Sequence, residues 1–490
     1  ISYLEIYGKN IALGSISMAI TSTLLNCTGP IINKKKRPNI LFISSDDLRP
    51  MLGCYGNPYI KTPNIDKLAS GGTVFLKNYC QYPLCGPSRS SLLTGLRPDA
   101  TQIFGNSTHI REVVPDVITL LQHFKQQGYH TLNYGKMYHD RNVDDALSWS
   151  EPGLHAEGRH FGDYNNPETL KMLEETVGED PTMESIAPPT DSADVPDNAY
   201  SDGQFADMAI QAMERLKRGT NPFFLSVGFV RPHLPFNCPK KYWDMYDPEK
   251  IPLAQNSDLP EYFPDIPVYT SWWMRHFKGM PAEGHFPEDV ARHLNHAYAA
   301  CVSFVDAQVG RLLDALKENG LEQNTIVVLW GDHGYLLDDH GIYGKHTNFE
   351  KAVHSPLIIR APGYQGDQAI TGLTEFVDIY PSLCELAGLA VPDHVQGKSF
   401  VPIMKDSDLP WKKGAFSQYL AGSLMGYSLR TKRYRYTEWI HQDTHELTAT
   451  ELYDYQEDPH EEINVAILES HEHLVKELGE QLRAGLKGTL

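Results

Sequence analysis

Three apolar stretches, each followed at once by charged residues, constrain the fold of this 490-residue chain most strongly. They cover residues 39–43, 222–229 and 325–330, and they lead into Ser-Ser-Asp-Asp, Val-Arg-Pro-His and Gly-Asp-His. Runs of this kind are typical of strands buried on both faces of a parallel sheet. Because ligands of open α/β sheets gather beyond the carboxyl ends of the strands, we expect an α/β protein with its site at that edge.

Length and charge narrow the classes of function. A chain of 490 residues exceeds one comfortable hydrophobic core, so we expect two subdomains or one large domain with an appendix. Lys and Arg number 43 and Asp and Glu 62, so the net charge is −19 and a nucleic-acid-binding surface is not expected. An anionic substrate would therefore need a local basic patch.

The seven cysteines are scattered, odd in number and without a CxxC pair. Neither a zinc site nor a disulfide framework is therefore indicated.

An uncharged stretch over residues 11–25 has the length of a signal-peptide apolar region and is too short to span a membrane comfortably. It ends in Leu-Leu-Asn-Cys, which resembles a bacterial lipobox, so Cys27 is a candidate for lipidation; a plain cleaved leader is the alternative. Either way residues 1–33 predict export, to the bacterial periplasm or cell surface. A lipid on Cys27 would be the protein's link to the membrane.

The stretch Cys85-Gly-Pro-Ser-Arg89 predicts a turn from strand to helix, with the cysteine exposed at its tip. The helix would continue to Leu93 and end at Thr94-Gly95. The helix dipole and Arg89 would place positive charge near the thiol. From these residues alone, a buried cysteine on an ordinary turn is equally acceptable.

Two further strand ends carry acidic residues. Adjacent Asp46 and Asp47 repel each other, and burial would worsen that repulsion unless a cation were present. Hard oxygen ligands suit calcium or magnesium. Asp332 and His333 follow the strand at 325–330 and would lie on the same side of the sheet. A solvated turn is the alternative for each pair.

Taken together, these motifs resemble the type I sulfatase family. Cys85-x-Pro87-x-Arg89 followed by Leu-Leu-Thr-Gly is similar to the family signature, and Pro63-Asn-Ile-Asp66 matches its first block together with the Asp46-Asp47 pair. The resemblance extends from residue 38 to 466. It implies an alkaline-phosphatase-like α/β fold: a large, mostly parallel sheet flanked by helices, and a smaller C-terminal subdomain with an antiparallel sheet. We assign residues 34–406 to the catalytic domain and 407–490 to that subdomain.

The resemblance also implies roles for the site residues. Cys85 would be oxidised to formylglycine by a formylglycine-generating or maturase enzyme, and the hydrated aldehyde would attack sulfur. The catalytic residues implied are Cys85, Arg89, Lys136, His139, His233 and Lys345. A metal ion, calcium with magnesium as the alternative, would be bound by Asp46, Asp47, Cys85, Asp332 and His333. Arg89 and Lys136 would stabilise the diol, His139 would help to expel sulfate, and His233 with Lys345 would bind the ester and protonate the leaving alcohol.

Three features favour iduronate-2-sulfatase-like members of the family: His333, the two-residue gap between Lys136 and His139, and the strands at 425–439. We therefore expect removal of 2-O-sulfate from uronic acids of heparan-, heparin- or chondroitin-type oligosaccharides. Another sulfated sugar or a small sulfate ester is the first alternative. A phosphodiesterase of the alkaline phosphatase superfamily is the second, although such enzymes usually carry Ser or Thr as nucleophile. A non-catalytic glycan-binding lipoprotein with an unmodified cysteine is the third.

The remaining patterns predict connecting elements and loops. Trp272 and Trp273 lie in a loop-rich stretch and would either hold a sugar ring or pack beneath a loop. A polar insertion is expected over residues 141–200. Further helices are predicted at 116–127, 202–217, 294–316, 381–387 and 468–482, and further strands at 74–79, 129–134, 356–359, 416–420, 426–431 and 434–439.

Overall fold

The computed structural model describes residues 37–140, 142–154, 163–176 and 187–485 of the chain. The predicted leader, with its candidate lipid-bearing Cys27, lies outside these described residues. From Arg37 onward the described residues form one compact unit. Within them no helix is long and apolar enough to cross a membrane, and their six cysteines are free thiols.

The strands are numbered in chain order. They are β1 (Asn39–Ser45), β2 (Thr73–Phe75), β3 (Asn78–Tyr79), β4 (His130–Gly135), β5 (Thr190–Ala193), β6 (Phe223–Phe229), β7 (Phe236–Pro239), β8 (Thr325–Gly331), β9 (Leu336–Asp339), β10 (Ile342–Gly344), β11 (Leu357–Arg360), β12 (Gln368–Ile370), β13 (Thr374–Glu375), β14 (Gly414–Ala421), β15 (Leu424–Thr431), β16 (Tyr434–His441) and β17 (Leu447–Asp454).

The α-helices are numbered in the same way. They are α1 (Pro63–Ser70), α2 (Cys85–Thr94), α3 (Pro98–Thr101), α4 (Ile110–Val113), α5 (Leu120–Gln126), α6 (Pro167–Thr176), α7 (Ser201–Leu216), α8 (Lys240–Trp243), α9 (Trp272–His276), α10 (Glu288–Glu318), α11 (Glu350–Val353), α12 (Ile379–Leu386), α13 (Val401–Lys405) and α14 (Glu472–Ala484).

A seven-stranded sheet in the order β12-β2-β11-β8-β1-β6-β4 forms the centre of the protein. Strands β8, β1, β6 and β4 are mutually parallel, and β11 runs antiparallel between β8 and β2. In the register, Ser45 lies opposite both Phe229 and Gly331. The ends of β1, β6 and β8 therefore align at one edge, as the apolar runs predicted.

Residues of β1 alternate between two hydrophobic cores, because neighbouring side chains of a strand point to opposite faces. Leu41 and Ile43 join the core that contains residues of α7 and α10. Ile40 and Phe42 join the core that contains residues of α2, α5 and α12. Helices therefore cover both faces of the sheet, and the predicted α/β architecture is confirmed.

The C-terminal part contains a four-stranded antiparallel sheet in the order β14-β15-β16-β17. Helix α14 packs on it through Leu478 and Leu482, which join Leu429 and Leu452 in a separate core. The predicted antiparallel sheet is confirmed, whereas the boundary between residues 406 and 407 stays a prediction.

Three predicted elements differ from those observed. The strand expected over 74–79 is broken into β2 and β3. The helix expected from residue 116 begins only at Leu120, because Thr119 caps it by accepting from the backbone N–H of Gln122. The insertion over 141–200 contains helix α6 and strand β5 in its described portions, so it is more than a loop.

Candidate active site

The edge where β1, β4, β6 and β8 end brings the predicted residues together. Asp46 and Asp47 follow β1, Lys136 follows β4, and Asp332 follows β8. His233 lies four residues beyond β6. The amino-terminal end of α2 presents Cys85 to the same place, where its Sγ lies 3.3 Å from Asp46 Oδ1 and 3.3 Å from His333 Nε2.

The Cys85 side chain is buried, with an exposed fraction of 0%. The prediction that it is exposed at the tip of a turn is therefore wrong. Asp46 and His333, from segments far apart in the sequence, flank the thiol. The loop that contains Asn106 packs on the start of α2, where Asn106 Oδ1 accepts from the backbone N–H of Gly86 at 2.9 Å.

The two aspartates after β1 experience different environments. Asp46 would have a raised pKa from burial alone, but Lys136, His233 and Arg89 hold its pKa well below the ordinary value. For Asp47, burial dominates and raises the pKa to about 7 although Lys345 opposes the shift. Without further positive charge, the ionised form of Asp47 is therefore disfavoured in the site.

The acidic groups converge as metal ligands do. One donor atom from each of Asp46, Cys85, Asp332 and His333 lies within 4.8 Å of the others, and all four residues are buried. The Asp47 backbone N–H donates to Asp332 Oδ1 at 3.0 Å, and Asp47 adopts a left-handed φ of 60°. The two carboxylates in this set, Asp46 and Asp332, supply the oxygen ligands that suit a hard divalent cation.

The ring of His333 is oriented as expected for a metal ligand. Its Nδ1 lies 2.8 Å from the Gly334 carbonyl oxygen, which leaves Nε2 directed at the thiol. Burial would lower the pKa of His333, but Asp332 and Cys85 outweigh burial and raise it to about 9. A cation bound by Asp332 and Asp46 would disfavour the protonated form of His333 and leave Nε2 free to bind the cation. The residues present therefore fit a bound metal ion.

Three buried cationic side chains surround the acidic cluster. Lys345 Nζ donates to Asp47 Oδ1 at 2.6 Å, and Lys136 Nζ donates to Asp46 Oδ2. Arg89 Nε donates to Asp332 Oδ2 at 3.0 Å. These three residues are the local basic patch that an anionic substrate requires in this acidic protein.

Close backbone contact between β4 and β6 sets the position of Lys136. A Cβ on Gly135, which has a φ of 87°, would lie 2.2 Å from the Gly228 carbonyl oxygen, and a Cβ on Gly228 would lie 2.0 Å from the Lys136 carbonyl oxygen. Only glycine fits at both positions. The pair allows the backbone to turn at the strand end and direct Lys136 toward Asp46.

The other two predicted histidines, His139 and His233, are both neutral in this environment. Burial, with Lys136 nearby, lowers the pKa of His139 to about 3, and its buried Nδ1 has no hydrogen-bond partner among the described residues. Burial and Lys345 lower the pKa of His233 well below its ordinary value. The Nδ1 atom of His233 lies 2.7 Å from the Leu234 carbonyl oxygen, which fixes the ring.

Some supporting residues were not identified from the sequence. Asp202 accepts from the backbone N–H groups of Val230 at 2.8 Å and Arg231 at 2.9 Å, and so anchors the loop that carries His233. Tyr298 donates to the Asp47 carbonyl at 2.8 Å. Both residues come from helices that carry only an amphipathic pattern in the sequence, so no local signal distinguishes them.

Comparison with known proteins gives the family of this chain. The model of the sulfatase family matches residues 38–389. The human protein iduronate 2-sulfatase is 33% identical, in an alignment that covers 93% of this chain and 95% of the human one. The chain belongs to the sulfatase family. It is a sulfuric ester hydrolase similar to iduronate 2-sulfatase, as the motifs predicted.

Other matches extend this assignment to the fold and the C-terminal part. The model described as N-sulphoglucosamine sulphohydrolase, C-terminal, matches residues 338–487. A protein solved in complex with its substrate D-glucosamine-2-N,6-O-disulfate superimposes with a TM-score of 0.73 at 23% identity, covering 92% of this sulfatase and 98% of that chain. A protein described as a 2-O GAG sulfatase gives a TM-score of 0.70 at 23% identity, with 91% of each chain covered. The expected alkaline-phosphatase-like sulfatase fold is therefore confirmed.

Proposed function

We propose that this sulfatase removes 2-O-sulfate from uronic acid residues of glycosaminoglycan oligosaccharides of heparan, heparin or chondroitin type. The observation that carries the proposal is the 33% identity with human iduronate 2-sulfatase over 93% of the chain. The structural similarity to a protein described as a 2-O GAG sulfatase supports the same substrate class. The basic patch of Arg89, Lys136 and Lys345 supplies the charge that an anionic ester needs.

The proposed nucleophile derives from Cys85 by oxidation to formylglycine. Addition of water to this aldehyde would give a geminal diol with two hydroxyl groups. One would be the nucleophile, and the other would release the bound sulfate as the aldehyde is restored. Because Cys85 is fully buried in the folded protein, a formylglycine-generating or maturase enzyme would have to act before folding is complete. The helix start and Arg89 are consistent with stabilisation of an oxyanion at this position.

The proposed metal ligands are Asp46, Asp47, Asp332, His333 and the modified side chain of residue 85. When bound, the cation would polarise the nucleophilic oxygen and neutralise charge on the sulfate. We propose calcium, because magnesium demands stricter octahedral geometry and retains more water molecules.

The other site residues bind the ester and move protons. Lys136 and Arg89 face the acidic cluster and would stabilise the diol and the charge of the transferring sulfate by charge-assisted hydrogen bonds. A neutral His233 whose Nδ1–H is bonded to a carbonyl carries no proton on Nε2. Lys345 therefore holds the proton for the leaving alcohol, while His233 Nε2 would orient the substrate by accepting from one of its sugar hydroxyl groups. His139, neutral and buried, is the group suited to take a proton during sulfate release.

We also propose export, from the apolar stretch at residues 11–25, to the periplasm or cell surface, with Cys27 as the candidate for lipidation. Fractionation of the native host, with mass analysis of the amino-terminal peptide, tests this. Recovery of the full leader in cytoplasmic protein would contradict it.

Mass spectrometry of the peptide containing Cys85, with desulfation of defined disaccharides, tests the central proposal. We expect residue 85 as formylglycine in protein from the native host, and loss of the 2-O-sulfate of a uronate. An unmodified cysteine would overturn the formylglycine proposal. Loss of sulfate only from other positions would overturn the uronate specificity, and faster turnover of phosphate esters would favour the phosphodiesterase alternative.

A further inference from the structure

An exposed tryptophan stands beside the active site. Trp272, in the short helix α9, is 53% exposed. Its ring stacks on that of Trp273, with centroids 6.3 Å apart and an interplanar angle of 17°. Large aromatic side chains usually bury most of their surface in folded proteins, and exposed ones often mark a place where a ligand or partner binds. A half-exposed indole stacked on a second indole is therefore suited to contact a ligand.

Trp273 connects this surface to the proposed sulfate pocket, which we define as the space bordered by Lys136, His233 and Lys345. Its ring lies edge-on to His233 at a centroid distance of 4.9 Å, and Lys345 Nζ lies 5.7 Å from its centroid. His233 and Lys345 are the residues that face the leaving alcohol in the proposed reaction. The sugar that carries the sulfate must therefore lie on the side of the pocket that Trp273 borders, and Trp272 lies one ring further out.

The loop that presents the two indoles is held rigidly. Ser271 is buried with a left-handed φ of 60°, and its Oγ accepts from the Tyr343 backbone N–H at 2.8 Å. The Arg275 guanidinium donates to three backbone carbonyls of this region, those of Thr270, Pro281 and Gly284. The exposure of Trp272 is thus fixed by the surrounding structure, and little conformational entropy would be lost on binding.

A second aromatic contact borders the same surface. Tyr269 lies edge-on to Trp272 at 6.5 Å and stacks on His346 at 4.3 Å. Because His346 directly follows Lys345, the aromatic surface is continuous with the sulfate pocket.

We propose that Trp272 and Trp273 form a platform that determines specificity for oligosaccharides. Trp273 borders the sulfated uronate, and Trp272 packs against the apolar C–H face of the adjacent pyranose ring. The inference rests on the proposed function, since the ligand is the sugar next to a 2-O-sulfated uronate. Of the two interpretations of these tryptophans, the proposal takes sugar binding for the exposed Trp272, while Trp273 also packs against the hydrophobic core.

Steady-state kinetics on two substrates test the platform: a 2-O-sulfated uronate disaccharide and the corresponding 2-O-sulfated uronate monosaccharide. In W272A, kcat/KM for the disaccharide should fall roughly tenfold more than for the monosaccharide, the expected loss of one aromatic stacking contact. W272F should retain most of the preference because it keeps an aromatic face. A merely structural role would lower both values together and leave their ratio unchanged.

Leu147 provides a matched control, since it has the same exposed fraction of 53%. It lies near the opposite end of the sheet, because the neighbouring Ser148 carbonyl accepts from Thr131 at the beginning of β4. L147A should leave the ratio at the wild-type value. If the wild-type enzyme turns over both substrates and W272A keeps the same ratio of kcat/KM between disaccharide and monosaccharide, the platform alone is overturned. A wild-type enzyme inactive on both sugars would overturn the proposed function and the platform with it.

Discussion

Replacing Arg89 with lysine separates the geometry of the guanidinium from its charge. Arg89 Nε donates to Asp332 Oδ2 at 3.0 Å, and Nη1 donates to the carbonyls of Lys136 at 2.6 Å and Met137 at 3.1 Å. Nη2 lies 3.7 Å from Asp46 Oδ1. One side chain therefore links the ends of β1, β4 and β8. A single ammonium keeps the charge but cannot form this planar, multidirectional set of bonds.

The magnitude follows from the groups left without partners. The side chain of Arg89 is 1% exposed, so water cannot replace its bonds. Two buried carbonyls would lose their donor at a cost of about 1–3 kcal/mol each, so R89K should lower the free energy of unfolding by roughly 2–6 kcal/mol. Because Asp332 and Lys136 both shift, we expect kcat to fall about a hundredfold, equivalent to roughly 2.7 kcal/mol in the transition state.

Urea unfolding followed by tryptophan fluorescence, with kcat on a sulfated uronate, measures both effects. Arg97, just beyond the other end of α2, is the matched control: its Nη1 lies 2.8 Å from Glu375 Oε1, a carboxylate outside the active site. R97K should lose stability while retaining kcat within about threefold. An R89K enzyme with wild-type kcat and stability, or an equal loss of kcat in R97K, would refute the reasoning.

Three further changes have defined outcomes. D202N cannot accept both loop N–H groups that the carboxylate accepts, so kcat/KM should fall about tenfold through displacement of His233, and an unchanged value would contradict the anchoring role. The second change concerns Glu375: burial alone would raise its pKa, but Arg97 and Lys412 outweigh burial and lower the pKa from 4.5 to about 2. Stability present above pH 4.5 should therefore be lost as the pH falls toward 2, and urea titrations should show a shallower decline in E375Q. Chelation of divalent metal should lower the melting temperature and added calcium should restore it; a melting temperature indifferent to chelator would argue against a bound ion.

The central strands were predictable because each carries its information locally. The runs at β1, β6 and β8 are apolar on both faces, and the charged residues that follow them mark the strand ends. Residues that follow the carboxyl ends of neighbouring parallel strands lie at the same edge of the sheet. The sequence therefore predicts that Asp46, His233 and Asp332 lie close together.

Features set by contacts between distant segments could not be predicted. The burial of Cys85 depends on Asp46 and His333, which lie 39 and 248 residues away. The break between β2 and β3 depends on different partners, since β2 pairs with β11 and β12 whereas β3 pairs with β13. The two tryptophans were ambiguous because exposure, which separates a platform from packing, is absent from the sequence.

The balance of buried charge links the metal ion to the substrate. Asp46, Asp47 and Asp332 oppose Arg89, Lys136 and Lys345, so these six groups are formally neutral when all are ionised. Burial nevertheless holds the pKa of Asp47 near 7, so the neutral set is only marginally stable in its ionised form. A divalent cation would favour ionisation of Asp47 and leave an excess of two positive charges in a site shielded from water. A monoanionic sulfate ester would reduce that excess, so cation and substrate should each favour the other's binding despite the net charge of −19 on the chain.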